Sequence, residues 1–330
     1  MGGRVIDEGF FVDVHGVEQW ITLRGERRDN PLLLMIPGPG AGFSAMAPYF
    51  EPWERDYTLA QWDQPRAGFT LAKNRASDHD PYTFERLARD GIAVAEIICS
   101  HLGVPKLAVL GLSAGTITAL NLVRRRPDLF SAYIGNGQIV DWARQDAESY
   151  RMLLARARAS NDGAALVELE AIGPPPYKDT ATDAIKSKYA GAFTAEEQRS
   201  MATFFPLVLG NIMSPPPDAH YLAKGLVLSD ARAAATAAYD ALRDPLITFD
   251  ARRLGLKFDV PMFFLQGAAD SMTVNSDVRD YVSELRAPHK ELVLIEGGGH
   301  GAVFMRDAFL DMLNRRVRPA LGSTAIRHES

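Results

Sequence analysis

The sequence predicts an α/β fold: a mostly parallel sheet with a helical segment inserted into it. Three observations carry that expectation. Short, wholly apolar runs such as Leu32–Ile36 and Leu107–Leu110 read as strands buried on both faces. Helical patterns alternate with these runs, as βαβ winding requires. Residues 138–246 then interrupt the alternation with helical patterns and no convincing buried strand. A chain of 330 residues is long enough for one such core and its insertion.

Taken in order, residues 4–14 and 17–24 read as an antiparallel hairpin turning at His15-Gly16. The apolar run ending at Ile36 is followed by Pro37-Gly-Pro-Gly-Ala-Gly42, a loop by composition. A helix is expected over residues 45–54, a buried strand over Tyr57–Trp62, and a loop at Asp63-Gln-Pro-Arg-Ala-Gly68. Phe84, Leu87, Ile92, Ala95, Ile98 and Leu102 mark one apolar face of a helix over 82–102. A strand at 107–110, a helix over 116–126 and a strand at 130–134 follow. Inside the insertion, Gly173-Pro-Pro-Pro176 and Ser214-Pro-Pro-Pro217 break the helical pattern, and an alanine-rich helix lies around Ala231–Ala241. Strands at Met262–Gln266 and Leu292–Glu296 flank a helix near Ser276–Leu285. A closing helix over 302–317 and a polar, frayed tail at 322–330 end the chain. The expected division is therefore a core of 1–137 and 247–330, with a helical cap of 138–246.

Composition narrows the function classes. A net charge of -5 gives no electrostatic case for nucleic acid or an anionic membrane. No apolar run reaches the roughly 18 residues a membrane span needs. The N-terminus lacks a secretory apolar core, and Ile6 stands where a myristoylation signal needs Ser or Thr. A cytoplasmic protein is expected. The lone Cys99 excludes an internal disulfide and sits on the apolar face of a helix, where a buried structural thiol is expected.

The chemistry centres on Gly111-Leu-Ser113-Ala-Gly115. A G-x-S-x-G pattern gains its meaning between a strand and a helix, because a sharp turn there lifts the serine hydroxyl clear of the sheet. The flanking residues must be small where backbone passes close. A serine needs a base to take its proton, and that base needs an acid to orient it. Downstream, Asp270 follows one strand in Gln266-Gly-Ala-Ala-Asp270, and His300 follows the next in Gly297-Gly-Gly-His300-Gly. Both sit at carboxyl ends of strands, where such sheets hold their sites. Of the seven histidines, His300 alone has this open, glycine-flanked setting. Asp141, just beyond the strand at 130–134, is the alternative acid. Acyl transfer also needs donors aimed at the oxyanion. The N–H of Ala114 is one candidate. In the loop after Ile36, Pro37 and Pro39 have no N–H, which leaves Gly38 as the second. No cluster with metal-ligand spacing and no phosphate-binding glycine loop is present, so no metal or organic cofactor is expected.

These residues resemble the α/β-hydrolases, and within them the prolyl aminopeptidase (proline iminopeptidase) group. Pro37-Gly-Pro-Gly40 is similar to the end of that group's His-Gly-Gly-Pro-Gly loop. Asp63-Gln-Pro-Arg-Ala-Gly68 is similar to its Asp-Gln-Arg-Gly-x-Gly segment. Ser113, Asp270 and His300 follow in its order. The likeness spans 30–137 and 258–315. Ile36-Pro37 replaces the family's opening His-Gly, and Ala114 replaces a tryptophan. The resemblance implies a serine hydrolase with a helical cap, acting on the N-terminal residue of short peptides; a carboxylesterase or amidase for small neutral compounds is the alternative. Peptidase members read the substrate's ammonium with cap carboxylates. Asp141, Glu148, Glu168 and Glu170 are the candidate readers, with Glu148 and Glu170 the first to inspect. The expected partner is a small molecule or short peptide.

Overall fold

Eight strands form one sheet. The computed structural model describes residues 5–75, 78–204, 206–207 and 228–321, and every statement below is confined to them. β1 (Ile6–Val14) and β2 (Val17–Gly25) pair antiparallel, and β2 runs antiparallel to β4 (Thr58–Asp63). From there every pairing is parallel: β4 with β3 (Leu32–Ile36), β3 with β5 (Leu107–Leu112), then β6 (Phe130–Asn136), β7 (Met262–Gly267) and β8 (Lys290–Ile295). Across the sheet the order is β1-β2-β4-β3-β5-β6-β7-β8. The hairpin turns where expected, with His15 and Gly16 both at positive φ.

The apolar strands are buried on both faces because helices cover both. Along β3, Leu32, Leu34 and Ile36 enter one hydrophobic layer while Leu33 and Met35 enter the other. That alternation is the period of two expected of a strand, and each fully buried leucine contributes about 1.5–3 kcal/mol. The helix Phe84–Leu102 lies over the first layer. Thr83 caps it by accepting the Arg86 N–H, and Gly103 ends it in the left-handed conformation. Cys99 is buried there, and burial pushes its thiol up to about 11.

Two expected elements differ in detail, and one further element was not expected. Residues 44–55 form three short turns rather than one helix, because Pro48 and Pro52 restart the helix at its first positions. The closing helix is divided into turns at Ala302–Phe304, Arg306–Met312, Leu313–Val317 and Arg318–Ala320. Carbonyls of Phe304 and Arg306 accept from the Tyr49 hydroxyl and the Trp53 indole, which ties these turns to the 44–55 segment. A short helix, Gly68–Asn74, follows the Asp63–Gly68 loop without any periodic signal in the sequence.

Between β6 and β7 the described chain is helical: Trp142–Ala159, Gly163–Ile172, Thr180–Ala190, Ala195–Ser200 and Leu228–Ile247. Its two ends are stitched together where Ala251 N–H donates to Val140 O at 2.7 Å and Trp142 N–H to Phe249 O at 3.0 Å. Gly173 interrupts the helices as expected; Ser214–Pro217 and the tail at 322–330 lie outside the described residues. No described helix is long and apolar enough to cross a membrane.

Candidate active site

The turn between β5 and the helix Gly115–Arg125 holds Ser113 at φ +52, in the left-handed region that non-glycine residues avoid. Its N–H donates to Asn136 O at 2.9 Å, and its carbonyl accepts the Thr116 N–H at 2.9 Å and the Thr116 hydroxyl at 2.6 Å. Over-determination of this kind is what sustains about 1–3 kcal/mol of local strain. The glycines follow from close approach. A Cβ on Gly115 would lie 2.2 Å from Ile36 O and 2.5 Å from Pro37 O; one on Gly111 would lie 2.8 Å from the Thr116 Cα. The small residues of the motif let three backbone segments meet under the serine.

His300 reaches that serine from the loop after β8. Its Nε2 lies 2.9 Å from Ser113 Oγ and its Nδ1 3.1 Å from Asp270 Oδ2. A carboxylate only accepts, so Nδ1 carries the proton and Nε2 is free to accept from the hydroxyl. Asp270 is fixed in turn. The N–H groups of Met272 and Thr273 donate to its Oδ1 at 2.8 and 2.9 Å, and the Thr273 hydroxyl donates to Oδ2 at 2.7 Å. Burial pushes Asp270 up, but His300 and these donors outweigh it and hold the carboxyl below its usual range. Burial likewise pulls His300 down, yet the Asp270 charge and hydrogen bond, with Glu197 adding to them, leave the imidazole above its ordinary value. Gly137, at φ +62, leaves room for the ring: a Cβ there would sit 2.8 Å from His300 Cε1.

Asp141, the alternative acid, is elsewhere. It caps the helix Trp142–Ala159, accepting the Arg144 N–H at 3.1 Å. His15, His101 and His289 face Asp90, Glu8 and Glu291 as ion-pair partners, and His220 and His328 lie outside the described residues.

Gly38 and Ala114 line the same cavity as Ser113. Neither N–H donates to a protein acceptor among the described residues. The loop bearing Gly38 is pinned by the segment after β4. Gln64 Nε2 donates to Pro37 O at 3.1 Å. Asp63, fully buried, accepts the Ser44 N–H at 3.0 Å, the Ser44 hydroxyl at 2.6 Å and the Phe69 N–H at 2.9 Å. Gly68 is required because a Cβ there would lie 2.0 Å from Asp63 Oδ2. Gln64→Leu is therefore expected to lower kcat by roughly tenfold or more, short of the ~10²–10³ lost with an oxyanion donor itself. Steady-state kinetics with KM measured separately checks it, and an unchanged kcat would deny the loop this role.

The cavity above Ser113 has a volume of about 350 Å³. The inserted helices supply its roof. Thr180, Asp183, Ala184 and Ser187 fall on one face of a helix, joined by Trp142, Tyr239 and Leu246. Glu148 and Glu170 are not brought to it. Glu148 pairs with Arg151 at 2.6 Å, and Glu170 pairs with Arg158 at 3.1 Å on an exposed surface. Glu168 likewise pairs with Lys188 at 2.8 Å. The carboxylate in the cavity wall is Asp183, which accepts the Tyr239 hydroxyl at 3.0 Å. Burial pushes its carboxyl up, against the pull of Tyr239 and Arg243. A second carboxylate from the insertion, Glu197, is fully buried and accepts the Gly299 N–H at 2.8 Å, beside His300. Sequence reasoning missed both. Glu197 leaves one legible trace, the Thr194-x-x-Glu197 capping box; Asp183 leaves none.

A sheet of this order, a serine on a strained strand–helix turn after β5, and an acid and a histidine beyond the ends of β7 and β8 together define the α/β-hydrolase fold. A probable aminopeptidase of Bacillus subtilis (strain 168) is 27% identical over 316 residues, 93% of this chain and 95% of that one. Among solved structures, a proline iminopeptidase-related protein from Thermus thermophilus superposes with a TM-score of 0.62 at 19% identity, covering 95% of this chain and 99% of that one. A thermophilic esterase from Thermogutta terrifontis gives 0.54 at 16% identity, covering 96% and 99%. No protein-family model matches the chain. The chain is an α/β-hydrolase in fold, similar to the proline iminopeptidase group.

Proposed function

We propose that this protein is a serine hydrolase with an acyl-enzyme at Ser113, acting as an aminopeptidase that releases N-terminal residues, proline among them, from short peptides. The observation that carries the hydrolase reading is the hydrogen-bonded line Ser113–His300–Asp270 at 2.9 and 3.1 Å. Ser113 Oγ attacks the substrate carbonyl carbon as its proton passes to His300 Nε2. The N–H groups of Gly38 and Ala114 receive the oxyanion. His300 returns the proton to the leaving amine, and water, activated by the same base, releases the acyl group. Asp270 holds the tautomer and stabilises the imidazolium. The inserted helices act as a cap that roofs the site and excludes water.

The peptidase reading rests on Asp183 and on the likeness to aminopeptidases. A substrate ammonium that gives up water on entering the cavity needs a carboxylate partner, because an unpaired buried charge is prohibitive. Asp183, rather than Glu148 or Glu170, takes that role here. A second reading, a carboxylesterase or amidase, has its own support: Ile139, Trp142, Leu246 and Met272 give the wall a large apolar share. The test is a panel of prolyl and other aminoacyl arylamides beside short acyl esters. Asp183→Asn is expected to lower kcat/KM for the arylamides by about tenfold or more relative to neutral esters. An equal effect on both classes, or esters alone as substrates, selects the second reading.

A further inference from the structure

Beyond the Ser113 cavity lies a second chamber of about 280 Å³. Trp142, Asp183 and Tyr239 line both, so the two cavities adjoin at these three side chains. The far walls are Pro175, Pro176, Tyr177 and Ile247, rigid and largely apolar surfaces with Arg243 among them. Neither this volume nor this cation is used by the hydrolytic step.

The charges in the chamber are unequal in availability. Asp146 lines it but is matched by the buried Lys186, whose ammonium also lies 5.8 Å from the Trp142 ring and supports it from behind. Asp183 already accepts the Tyr239 hydroxyl. Arg243 is different. Its side chain is 16% exposed, and one guanidinium nitrogen donates to Tyr177 O. Its ion-pair partner among the described residues is Asp244, 3.7 Å away and 92% exposed, where solvent screens the attraction. A guanidinium presents five donors in a planar fork suited to a carboxylate. Arg243 also attracts the Asp183 carboxylate across the chamber, but among the described residues it makes no hydrogen bond to it, and donors of the fork remain open.

The direction of the chamber follows from the site. His300 protonates the leaving group, so the leaving group departs on the side of His300 and the Asp270 loop. On that side the Ser113 cavity is lined by Met272, from the Asp270 loop, and by Ser187, and neither lines the second chamber. The chamber therefore extends the acyl side.

We infer that the second chamber binds the far end of the acyl group and that Arg243 selects acyl groups ending in a carboxylate. The inference rests on the reading of Ser113 as nucleophile and deepens it, naming a substrate class: esters or amides of ω-carboxy acids, which for a peptide means an acidic N-terminal side chain. The apolar walls hold the methylene stem, and the Arg243 fork pairs the terminal carboxylate.

The test is a ladder of p-nitrophenyl monoesters of dicarboxylic acids from succinate to suberate, each beside the neutral alkanoyl ester of equal length. The ratio of kcat/KM, carboxylate over neutral, is expected to peak at one length. Arg243→Gln is expected to collapse that peak by roughly tenfold or more, and Arg243→Lys to recover part of it. Global damage by a substitution cancels in the ratio. A ratio near unity at every length, or one that Arg243→Gln leaves intact, overturns the inference. Calorimetric titration of the free dicarboxylates against monocarboxylates reads the same chamber without turnover. Dicarboxylate binding that needs Arg243, in a protein whose Ser113 takes no fluorophosphonate, upholds the chamber and removes the nucleophile reading. Ester hydrolysis at Ser113 without carboxylate preference does the reverse.

Discussion

Ser113→Ala is expected to abolish covalent labelling by a fluorophosphonate and to lower kcat by about six orders of magnitude, while His300→Ala costs about as much. The near-equality is the informative part. Once either partner is lost, the proton has no path from Oγ, and what remains is binding and oxyanion stabilisation by Gly38 and Ala114. The fold should survive both changes. Ser113 Oγ makes its 2.9 Å contact with His300, while the turn is held by backbone bonds to Asn136 and by Thr116. Circular dichroism and the melting temperature verify that. Persistent labelling at another serine, or near-normal turnover in His300→Ala, sinks the assignment.

How much of this was legible in the sequence depends on how local the cause is. The strands were legible because both faces of β3, β5 and β7 are buried, so apolar runs are continuous. The elbow and the loops bearing Asp270 and His300 were legible because each needs glycine within a few residues, at Gly111 and Gly115, at Gly267, and at Gly297. The Asp63–Gly68 segment was legible as a likeness but not as a cause; that Gln64 steadies Pro37 across 27 positions of chain is a tertiary fact. The roof was not legible. Glu148 and Asp183 both sit on helices of the insertion, and nothing in spacing distinguishes the one that pairs with Arg151 from the one that faces the cavity. A helix shows which residues share a face, not what that face meets. The short helix Gly68–Asn74 escaped for a related reason: Phe69 and Thr70 are buried but too few for a period to show.

Asp270→Asn is expected to lower kcat by about 10⁴, against a mild effect of Asp141→Asn. The asparagine can still occupy the site, and the backbone N–H groups of Met272 and Thr273 can still hold its oxygen. What it loses is the charge that faces the imidazolium and the acceptor that fixes the proton on Nδ1. The pH profile separates this role from a structural one. Burial pulls His300 down, and the Asp270 charge and hydrogen bond, helped by Glu197, more than reverse it. Because the base must be neutral to act, a raised imidazole places the acid limb of kcat/KM above the ordinary value of 6.5. Asp270→Asn removes the larger of the two raising charges, so the limb moves to lower pH as the plateau falls. A variant that merely loosened the loop would lower the plateau and leave the limb in place. Asp141→Asn keeps a side-chain oxygen to accept the Arg144 N–H at the helix cap, so it costs little stability, and it leaves the limb where it was. If Asp141→Asn instead gave the larger loss in kcat together with the shifted limb, Asp270 is not the orienting acid.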